Sequence, residues 1–321
     1  MKITIVGTGR VGSAIAFAAV MQPIASELLL VNRSLAKAEG DAMDLAHASA
    51  LRNSNMKINA GTVEDSAASD IIVVTASAPY GAPDRKRWDL AAENYPIFQQ
   101  WIPALARLSP DAIFVVVTNP VDSMTYATLK LSGFPWQRVI GTGTLLDSVR
   151  YRSLLSTELG IHSDDIRAYI LGEHGDTQFA AHSLAMTGGE RFYPSDTSRR
   201  MFQETVNMGY EVSRRKGHTS YGIALATMTV LDSIAYDLRH TMPVSVLIDG
   251  YLDQHDLCLS LPCVIGRAGV TRILRPPLSD EEQSLFRHSA KTVREINQRM
   301  IAASATSVDA DEATPSSSPP R

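Results

Sequence analysis

The stretch GTGRVG at residues 7–12 decides the fold, because it separates two segments of different hydrophobic pattern. Residues 3–6 are an apolar run of strand length, and residues 13–21 form an alanine-rich segment with a helical pattern. A helix that starts directly after such a turn presents free N–H groups and a partial positive charge, which favour phosphate binding. The stretch therefore predicts a phosphate-binding turn for a dinucleotide.

Each glycine of this turn has its own part in the prediction. Gly7 permits the tight turn, Gly9 lets the backbone approach a pyrophosphate, and Gly12 lets the helix pack closely on the strand. Arg10 and Val11 lie between the second and third glycines. We predict that all five residues bind the cofactor.

Strand and helix patterns alternate through the rest of the first half. Apolar runs of strand length recur at residues 28–31, 71–75 and 114–118, and helical patterns separate them. Strands buried on both faces and separated by helices are typical of parallel βαβ units. We predict an α/β fold, namely a Rossmann doubly wound parallel sheet of order 3-2-1-4-5-6 that a short strand near Val139 closes.

The pattern changes at about residue 143, which divides the chain into three predicted parts. Residues 1–142 form the dinucleotide-binding Rossmann domain, and residues 143–302 form an α+β catalytic domain. Residues 303–321 have no aromatic side chain and contain three prolines, so we predict a disordered tail.

Composition limits the classes of function. The 321 residues are 45% hydrophobic and carry a formal net charge of −4, so there is no basic surplus for nucleic acid or an anionic membrane. The two cysteines, Cys258 and Cys263, are too few for a disulfide framework or a cysteine-based zinc site. No run of about 20 apolar residues is present. We expect a cytoplasmic protein with no metal site.

The cofactor's identity depends on residues at the end of the second predicted strand. NAD-binding proteins place an acidic residue there to bind the ribose 2′-hydroxyl. This chain has Asn32, followed by Arg33 and Ser34, which can pair with a 2′-phosphate. NADP(H) is therefore predicted over NAD(H), although Asn32 could still bind the ribose of NAD(H) while Arg33 points to solvent. Thr75 and Ala76, at the end of a later strand, complete the predicted cofactor-binding set in this half.

Three short motifs occur in one order, namely TNPVD at residues 118–122, LDSVR at 146–150 and LGEHGD at 171–176. Together with MDLAH at 43–47 and KGHTS at 216–220, they resemble the lactate/malate dehydrogenase family, and most closely its lactate dehydrogenase branch. The resemblance spans residues 1 to about 301. It implies an oxidoreductase that transfers a hydride between a nicotinamide dinucleotide and a 2-oxo or 2-hydroxy carboxylic acid.

The resemblance also implies roles for four residues of a catalytic site. His174 resembles the proton donor, and an imidazole titrates in a suitable range. Asp147 resembles the carboxylate that orients this ring. Arg150, three residues later on the same helix face, resembles the guanidinium that binds the substrate carboxylate. Arg87 resembles the loop arginine that polarises the carbonyl.

Further implied contacts are less specific. Asn119 resembles a residue that contacts both nicotinamide and substrate, and Thr219 and Ile223 match positions that line the substrate and nicotinamide pockets. The segment before Arg87 resembles a lid that closes over the substrate. Its position that reads the substrate side chain falls on Tyr80 or Gly81, which supply neither an amide nor a second cation. We therefore expect a substrate larger or less polar than pyruvate or oxaloacetate.

Two other classes of protein stay open at this point. NAD-dependent glycosidases share the architecture, but they place Cys and His as metal ligands near the site, and no cysteine precedes Cys258. A catalytically silent dinucleotide-binding protein is the third interpretation. The family resemblance also implies the oligomeric state, because the helix that bears residues 43–49 resembles a subunit interface, so a homodimer or homotetramer is expected.

Overall fold

The computed structural model describes residues 1–52, 54–79, 86–191 and 194–312, with side chains up to Ser304. Its first half alternates strands and helices. These are β1 (Lys2–Val6), α1 (Arg10–Met21), β2 (Glu27–Val31), α2 (Leu35–Leu51), β3 (Lys57–Gly61), β4 (Ile71–Val74), α3 (Arg87–Leu108), β5 (Ile113–Val116), α4 (Val121–Ser132) and β6 (Val139–Gly141). The six strands pair in parallel in the order β3-β2-β1-β4-β5-β6, which confirms the predicted Rossmann sheet.

Helices cover both faces of this sheet. Successive residues of a strand point to opposite faces, so each strand supplies apolar side chains to both layers of helices. Ile3 and Ile5 of β1 pack in a core with α1 and α2. Val6 and the alternate residues of β2, β4 and β5 pack in a second core with Phe98 of α3 and Met124 of α4. Both cores are apolar, so the strands are continuous hydrophobic runs.

The second half holds the remaining elements. These are α5 (Leu145–Leu159), β7 (Ile166–Arg167), β8 (Ile170–Leu171), β9 (Phe179–Ala180), β10 (Met186–Thr187), β11 (Glu190–Arg191), α6 (Asp196–Lys216), α7 (Tyr221–Ala235), β12 (His240–Tyr251), β13 (Gln254–Gly266), β14 (Gly269–Ile273) and α8 (Asp280–Glu312). Helix α7 packs on α1, and α8 packs on α3, so both halves share their core.

The sheet does not end at β6, contrary to the prediction. Strand β12 pairs with β6 in the antiparallel direction, with Ser245 opposite Gly141, and β13 and β14 follow. A Cβ atom at Gly141 would overlap the Thr125 hydroxyl and lie 2.9 Å from the Ser245 Cβ. The glycine thus allows the second half to continue the Rossmann sheet.

The last helix also differs from the sequence prediction. Helix α8 runs to Glu312, so it extends into the segment 303–321 that the sequence predicts to be a disordered tail. Alanine is the best helix former, and the first proline of this segment is Pro315. Nothing in the described part of the chain is a helix with the length and apolarity required to cross a membrane.

Candidate active site

His174 and Asp147 form a close pair at the junction of the two halves. His174 lies in the turn after β8, and Asp147 lies in the first turn of α5. The imidazole Nδ1 is 2.6 Å from the Asp147 Oδ2, and the histidine side chain is 25% exposed whereas the aspartate is only 4% exposed. Because Nδ1 faces the carboxylate, Nε2 is the nitrogen that can exchange a proton with a substrate.

The charges of this pair shift both pKa values. Burial by itself lowers the pKa of His174, but the charge and hydrogen bond of Asp147 outweigh it and raise the pKa above its ordinary value. Burial opposes ionisation of Asp147, yet the neighbouring His174 and Arg150 hold its pKa below the ordinary range. The imidazole is therefore suited to carry a proton near neutral pH.

Arg150 lies one helical turn beyond Asp147 on α5. Its Nη1 donates to the Asp147 Oδ1 at 3.1 Å, and its side chain is 16% exposed. Helix α6 passes beside it at Gly209, where a Cβ atom would come within 3.3 Å of the same Nη1. Gly209 could not be found from the sequence, because a glycine within a helix has no motif of its own.

Arg87, the first residue of α3, reaches the same turn from the other side. Its Nη1 donates to the backbone carbonyl of His174 at 2.9 Å. Glu173 and Asp176 lie 3.8 and 3.9 Å from the guanidinium. Burial lowers the pKa of Arg87, but these carboxylates more than compensate, so the pKa is raised and the cation is retained. Residues 80–85 of the predicted lid, Tyr80 and Gly81 among them, lie outside the described residues.

Glu173 is a second residue that sequence reasoning missed. Its carboxylate is buried and accepts hydrogen bonds from the backbone N–H and the hydroxyl of Thr177. A Cβ atom at Gly175 would overlap this carboxylate. The turn that carries His174 is therefore held rigidly by its own sequence.

Asn119 is exposed at the end of β5, and buried Asn94 fixes its backbone. The Asn94 amide nitrogen donates to the Asn119 carbonyl, and its oxygen accepts from the Ala78 N–H, both at 2.7 Å. The Thr118 hydroxyl donates to the Ala76 carbonyl at 2.8 Å. The ends of β4 and β5 are thus tied together next to the turn after β1.

The glycine turn fits the phosphates of a dinucleotide. Gly7 adopts a φ of +102°, and a Cβ atom there would lie 2.6 Å from the backbone nitrogen of Ala76. A Cβ atom at Gly12 would overlap the Gly7 carbonyl, which also accepts the Thr75 hydroxyl at 2.5 Å. Around Gly9, by contrast, the space within 4 Å is open, and no side chain caps α1. The helix therefore presents uncapped N–H groups to that space.

Asn32 makes two local contacts at the end of β2. Its amide nitrogen donates to the Thr8 hydroxyl at 2.7 Å, and its oxygen accepts from the Ser34 N–H at 3.0 Å. Ser34 caps helix α2 by accepting from the Lys37 N–H. Lys37, whose ammonium donates to the Thr8 carbonyl, is exposed, as is Arg33. Lys37 could not be found from the sequence, because only the first turn of α2 brings its ammonium group to Thr8 beside the predicted site.

Thr219 lies in the loop between α6 and α7, partly buried. Its neighbour His218 contacts the phosphate-binding turn, because the Arg10 Nη1 is 3.2 Å from the His218 Nδ1. Arg10 also donates to the Gly217 carbonyl at 3.3 Å. This loop thus lies beside the turn, and the substrate contact of Thr219 stays a prediction. No grouping of three or more His, Cys, Asp or Glu that could hold a metal occurs among the residues that are described.

Two models of known protein domains match most of the chain. The sequence model of the lactate/malate dehydrogenase NAD-binding domain matches residues 1–141, and that of the lactate/malate dehydrogenase α/β C-terminal domain matches residues 144–303. The chain belongs to the lactate/malate dehydrogenase family. The expected family resemblance is thereby confirmed, and so is the expectation of an oxidoreductase that binds a nicotinamide dinucleotide.

Relatives in this family match over nearly their full length. The L-lactate dehydrogenase of Thermoanaerobacterium saccharolyticum is 40% identical over 309 residues, which are 93% of this chain and 99% of that protein. That of Salinibacter ruber is 40% identical over 304 residues, which are 91% of this chain and 95% of that protein.

Solved structures of family members have the same fold. A minor L-lactate dehydrogenase from Enterococcus mundtii matches with a TM-score of 0.88 and 32% identity, covering 92% of this chain and 97% of that one. A lactate dehydrogenase from a Medee basin deep-sea metagenome library matches with a TM-score of 0.88 and 33% identity, covering 93% of this chain and 98% of that one.

Proposed function

We propose that the chain catalyses reversible hydride transfer between a nicotinamide dinucleotide and a 2-oxo or 2-hydroxy carboxylic acid. The observation that carries the proposal is the meeting of His174, Asp147, Arg150 and Arg87 at one place, with a histidine edge exposed. Reduction of a 2-oxo acid requires a proton donor, a cation for the carboxylate and a cation near the carbonyl oxygen. This arrangement supplies all three.

The roles of the side chains follow from their chemistry. The Arg150 guanidinium binds the substrate carboxylate through its planar fork of donors. Arg87 stabilises the negative charge that develops on the carbonyl oxygen. His174 delivers its proton from Nε2 to that oxygen, while Asp147 stabilises the charged ring. When bound, the dinucleotide supplies or accepts the hydride at C2 of the substrate, and residues 7–12 with Thr75, Ala76 and Asn119 hold it.

A steady-state screen tests this proposal directly. Both reduced cofactors are crossed with about a dozen 2-oxo acids of varied size and charge, and absorbance at the nicotinamide band is followed. Oxidation of the cofactor by at least one acid supports the proposal. Binding of the cofactor without turnover of any acid would indicate a silent dinucleotide-binding protein, and metal-dependent glycoside cleavage would indicate the glycosidase class.

We propose further that NADP(H) is the preferred cofactor, with NAD(H) as the alternative. The amide of Asn32 leaves no carboxylate to repel a 2′-phosphate, and the two exposed cations Arg33 and Lys37 flank it. The N-terminus of α2, which has no acidic residue in its first turn, adds a favourable dipole. These groups suit an anion next to the ribose.

Replacing Asn32 with aspartate is expected to raise the ratio of kcat/KM for NADH to that for NADPH by about tenfold or more. The new carboxylate would repel the 2′-phosphate of NADPH, which NADH lacks. Aspartate can still accept the Ser34 N–H, and the Thr8 hydroxyl, which now accepts from the Asn32 amide, can turn to donate to the carboxylate, so the loop keeps its shape. Asn59→Asp, an exposed change in β3, is the matched control. An unchanged ratio in Asn32→Asp would contradict the cofactor assignment.

The substrate is proposed to carry a side chain larger or less polar than those of pyruvate and oxaloacetate. A Cβ atom at Gly209 would lie only 3.3 Å from the Arg150 Nη1, so the glycine keeps α6 from crowding the guanidinium and the group that it binds. Alanine would favour an α-helix by about 1 kcal/mol over glycine at such a position, so the glycine is not there for helix stability. Space for the substrate is a reason to keep it.

Gly209→Ala is expected to lower kcat/KM for a branched 2-oxo acid about tenfold more than for pyruvate, which is the usual effect of one methyl group in a filled pocket. Parallel steady-state measurements on both acids give this ratio. Gly40→Ala is the matched control, because a Cβ atom on that α2 glycine meets nothing within 4 Å. Equal losses for the two acids would show that the substrate does not use this space.

We also propose a homodimer or homotetramer. Phe17 of α1, Met43 of α2 and Leu225 of α7 are 52%, 64% and 58% exposed. Helix α1 packs against both α2 and α7, so these apolar side chains belong to one group of helices. Exposed apolar surface of this kind is typical of a contact between subunits.

A further inference from the structure

Asp122 is a buried carboxylate to which the reaction described above assigns no role. It lies in the first turn of α4 and is 2% exposed. Its Oδ2 accepts the backbone N–H of His174 at 2.7 Å, and its Oδ1 accepts the Ser245 hydroxyl at 2.6 Å. A buried carboxylate is costly unless it is hydrogen-bonded, so both contacts are needed.

We propose that Asp122 is a positioning residue for His174. Its carboxylate holds the backbone N–H of His174 and places a negative charge near the imidazole ring. This inference rests on the proposed function, in which His174 delivers the proton. The Ser245 hydroxyl of β12 fixes the orientation of the carboxylate, so α4, β12 and the turn after β8 meet at one group.

The position of His174 is then determined from three sides. Asp122 binds its N–H, Arg87 binds its carbonyl at 2.9 Å, and Asp147 binds its ring at 2.6 Å. These partners come from α4, α3 and α5. A catalytic group must be held within about half an ångström of its productive position, and contacts from separate rigid elements achieve this.

The surroundings of Asp122 agree with a role through charge. Burial raises the pKa of Asp122 to about 6, although the Ser245 hydroxyl and the His174 N–H lower it. The charged groups that face it are Glu173, which disfavours its ionisation, and His174, which favours it; the Cys258 thiol on β13 is also near. Asp122 is therefore ionised at neutral pH, and its charge in turn raises the pKa of His174.

The experiment separates charge from geometry by two substitutions. Asp122→Asn keeps an oxygen for the His174 N–H and an amide for the Ser245 hydroxyl but removes the charge. Asp122→Ala removes both. The readout is the pKa of His174 in the protein without cofactor or substrate, followed by NMR of the imidazole Cε1–H, with the resonance assigned by its absence in His174→Asn.

In Asp122→Asn we expect the pKa of His174 to fall by about one pH unit. Because reduction requires the protonated ring, the pH above which kcat/KM for reduction falls is expected to decrease by the same amount. Asp122→Ala is expected to lose about tenfold more in kcat than Asp122→Asn, because it also frees the peptide N–H. Asp232→Asn, a partly buried aspartate of α7 whose pKa is raised by burial alone, is the control and should leave His174 unchanged.

The outcomes are distinguishable from failure of the proposed function. A pKa of His174 within about 0.2 units of the wild type in Asp122→Asn, even with a lowered melting temperature, would overturn the inference and leave Asp122 as a structural residue. A shifted pKa in a chain that reduces no 2-oxo acid would keep the inference and remove the function. The Asn variant stays informative if Asp122→Ala does not fold.

Discussion

Replacing His174 with alanine is expected to lower kcat for 2-oxo acid reduction by about 10²-fold or more, which is the loss typical of a missing general acid. The ring is 25% exposed and makes its close contact with Asp147 through Nδ1. Its removal therefore takes away the proton donor without opening the core. The dissociation constant of the dinucleotide, measured by fluorescence titration, is expected to stay within about twofold of the wild type, since the phosphate-binding turn is untouched.

The matched control is His162→Ala. His162 is a histidine with a neighbouring carboxylate, Asp164, 3.7 Å away, but its side chain is 74% exposed at the surface. A variant that lacks His174 yet turns over at nearly the wild-type rate would refute the assignment of the proton donor.

The pH dependence follows from the same residue. Reduction requires His174 to be protonated, and its pKa is raised by Asp147 in spite of burial. The rate of reduction is therefore expected to persist above the ordinary histidine range and to fall only as the pH rises through the raised pKa. Oxidation of the 2-hydroxy acid requires the neutral ring, so its rate is expected to rise over the same interval. Parallel pH profiles in both directions measure this.

Replacing Arg150 with lysine is expected to lower kcat/KM about 10²-fold, mainly through a higher KM. A guanidinium can bind a carboxylate with two parallel hydrogen bonds, whereas an ammonium is a point charge, and loss of such a charged contact costs about 2–3 kcal/mol. The Asp147 carboxylate would also lose the hydrogen bond that it accepts from the Arg150 Nη1 at 3.1 Å. Steady-state kinetics with the best acid of the screen give the measurement.

Arg200→Lys serves as the control for this substitution. Arg200 lies on α6 with its side chain 63% exposed, and its partner Glu204 is 3.9 Å away. A variant at Arg150 whose KM matches that of this control would show that another group binds the substrate carboxylate.

The sequence could predict those parts of the site whose partners are close along the chain. The turn at residues 7–12 follows from glycine's backbone freedom and from the strand and helix beside it. The pair of Asp147 and Arg150 follows from helical spacing, and the structure shows it at 3.1 Å. The family resemblance added the roles of His174 and Arg87, which no local pattern contains.

Other contacts could not be predicted because their partners are far apart in sequence. The Asn94 amide reaches the Asn119 carbonyl across 25 positions, and Ser245 reaches Asp122 across 123. Neither Asn94 nor Ser245 belongs to a motif. Their importance depends on burial, which appears only when α3 and β12 pack beside α4.

The sequence by itself determined the parallel sheet and its glycine turn, because hydrophobic periodicity and glycine conformation act over a few residues. The tertiary structure alone decided that β12 extends the sheet beyond β6, and that Asp122 holds the peptide of His174. Pairing between distant strands and the burial of a carboxylate are properties of the packed chain, since each requires groups that only folding brings within hydrogen-bond distance.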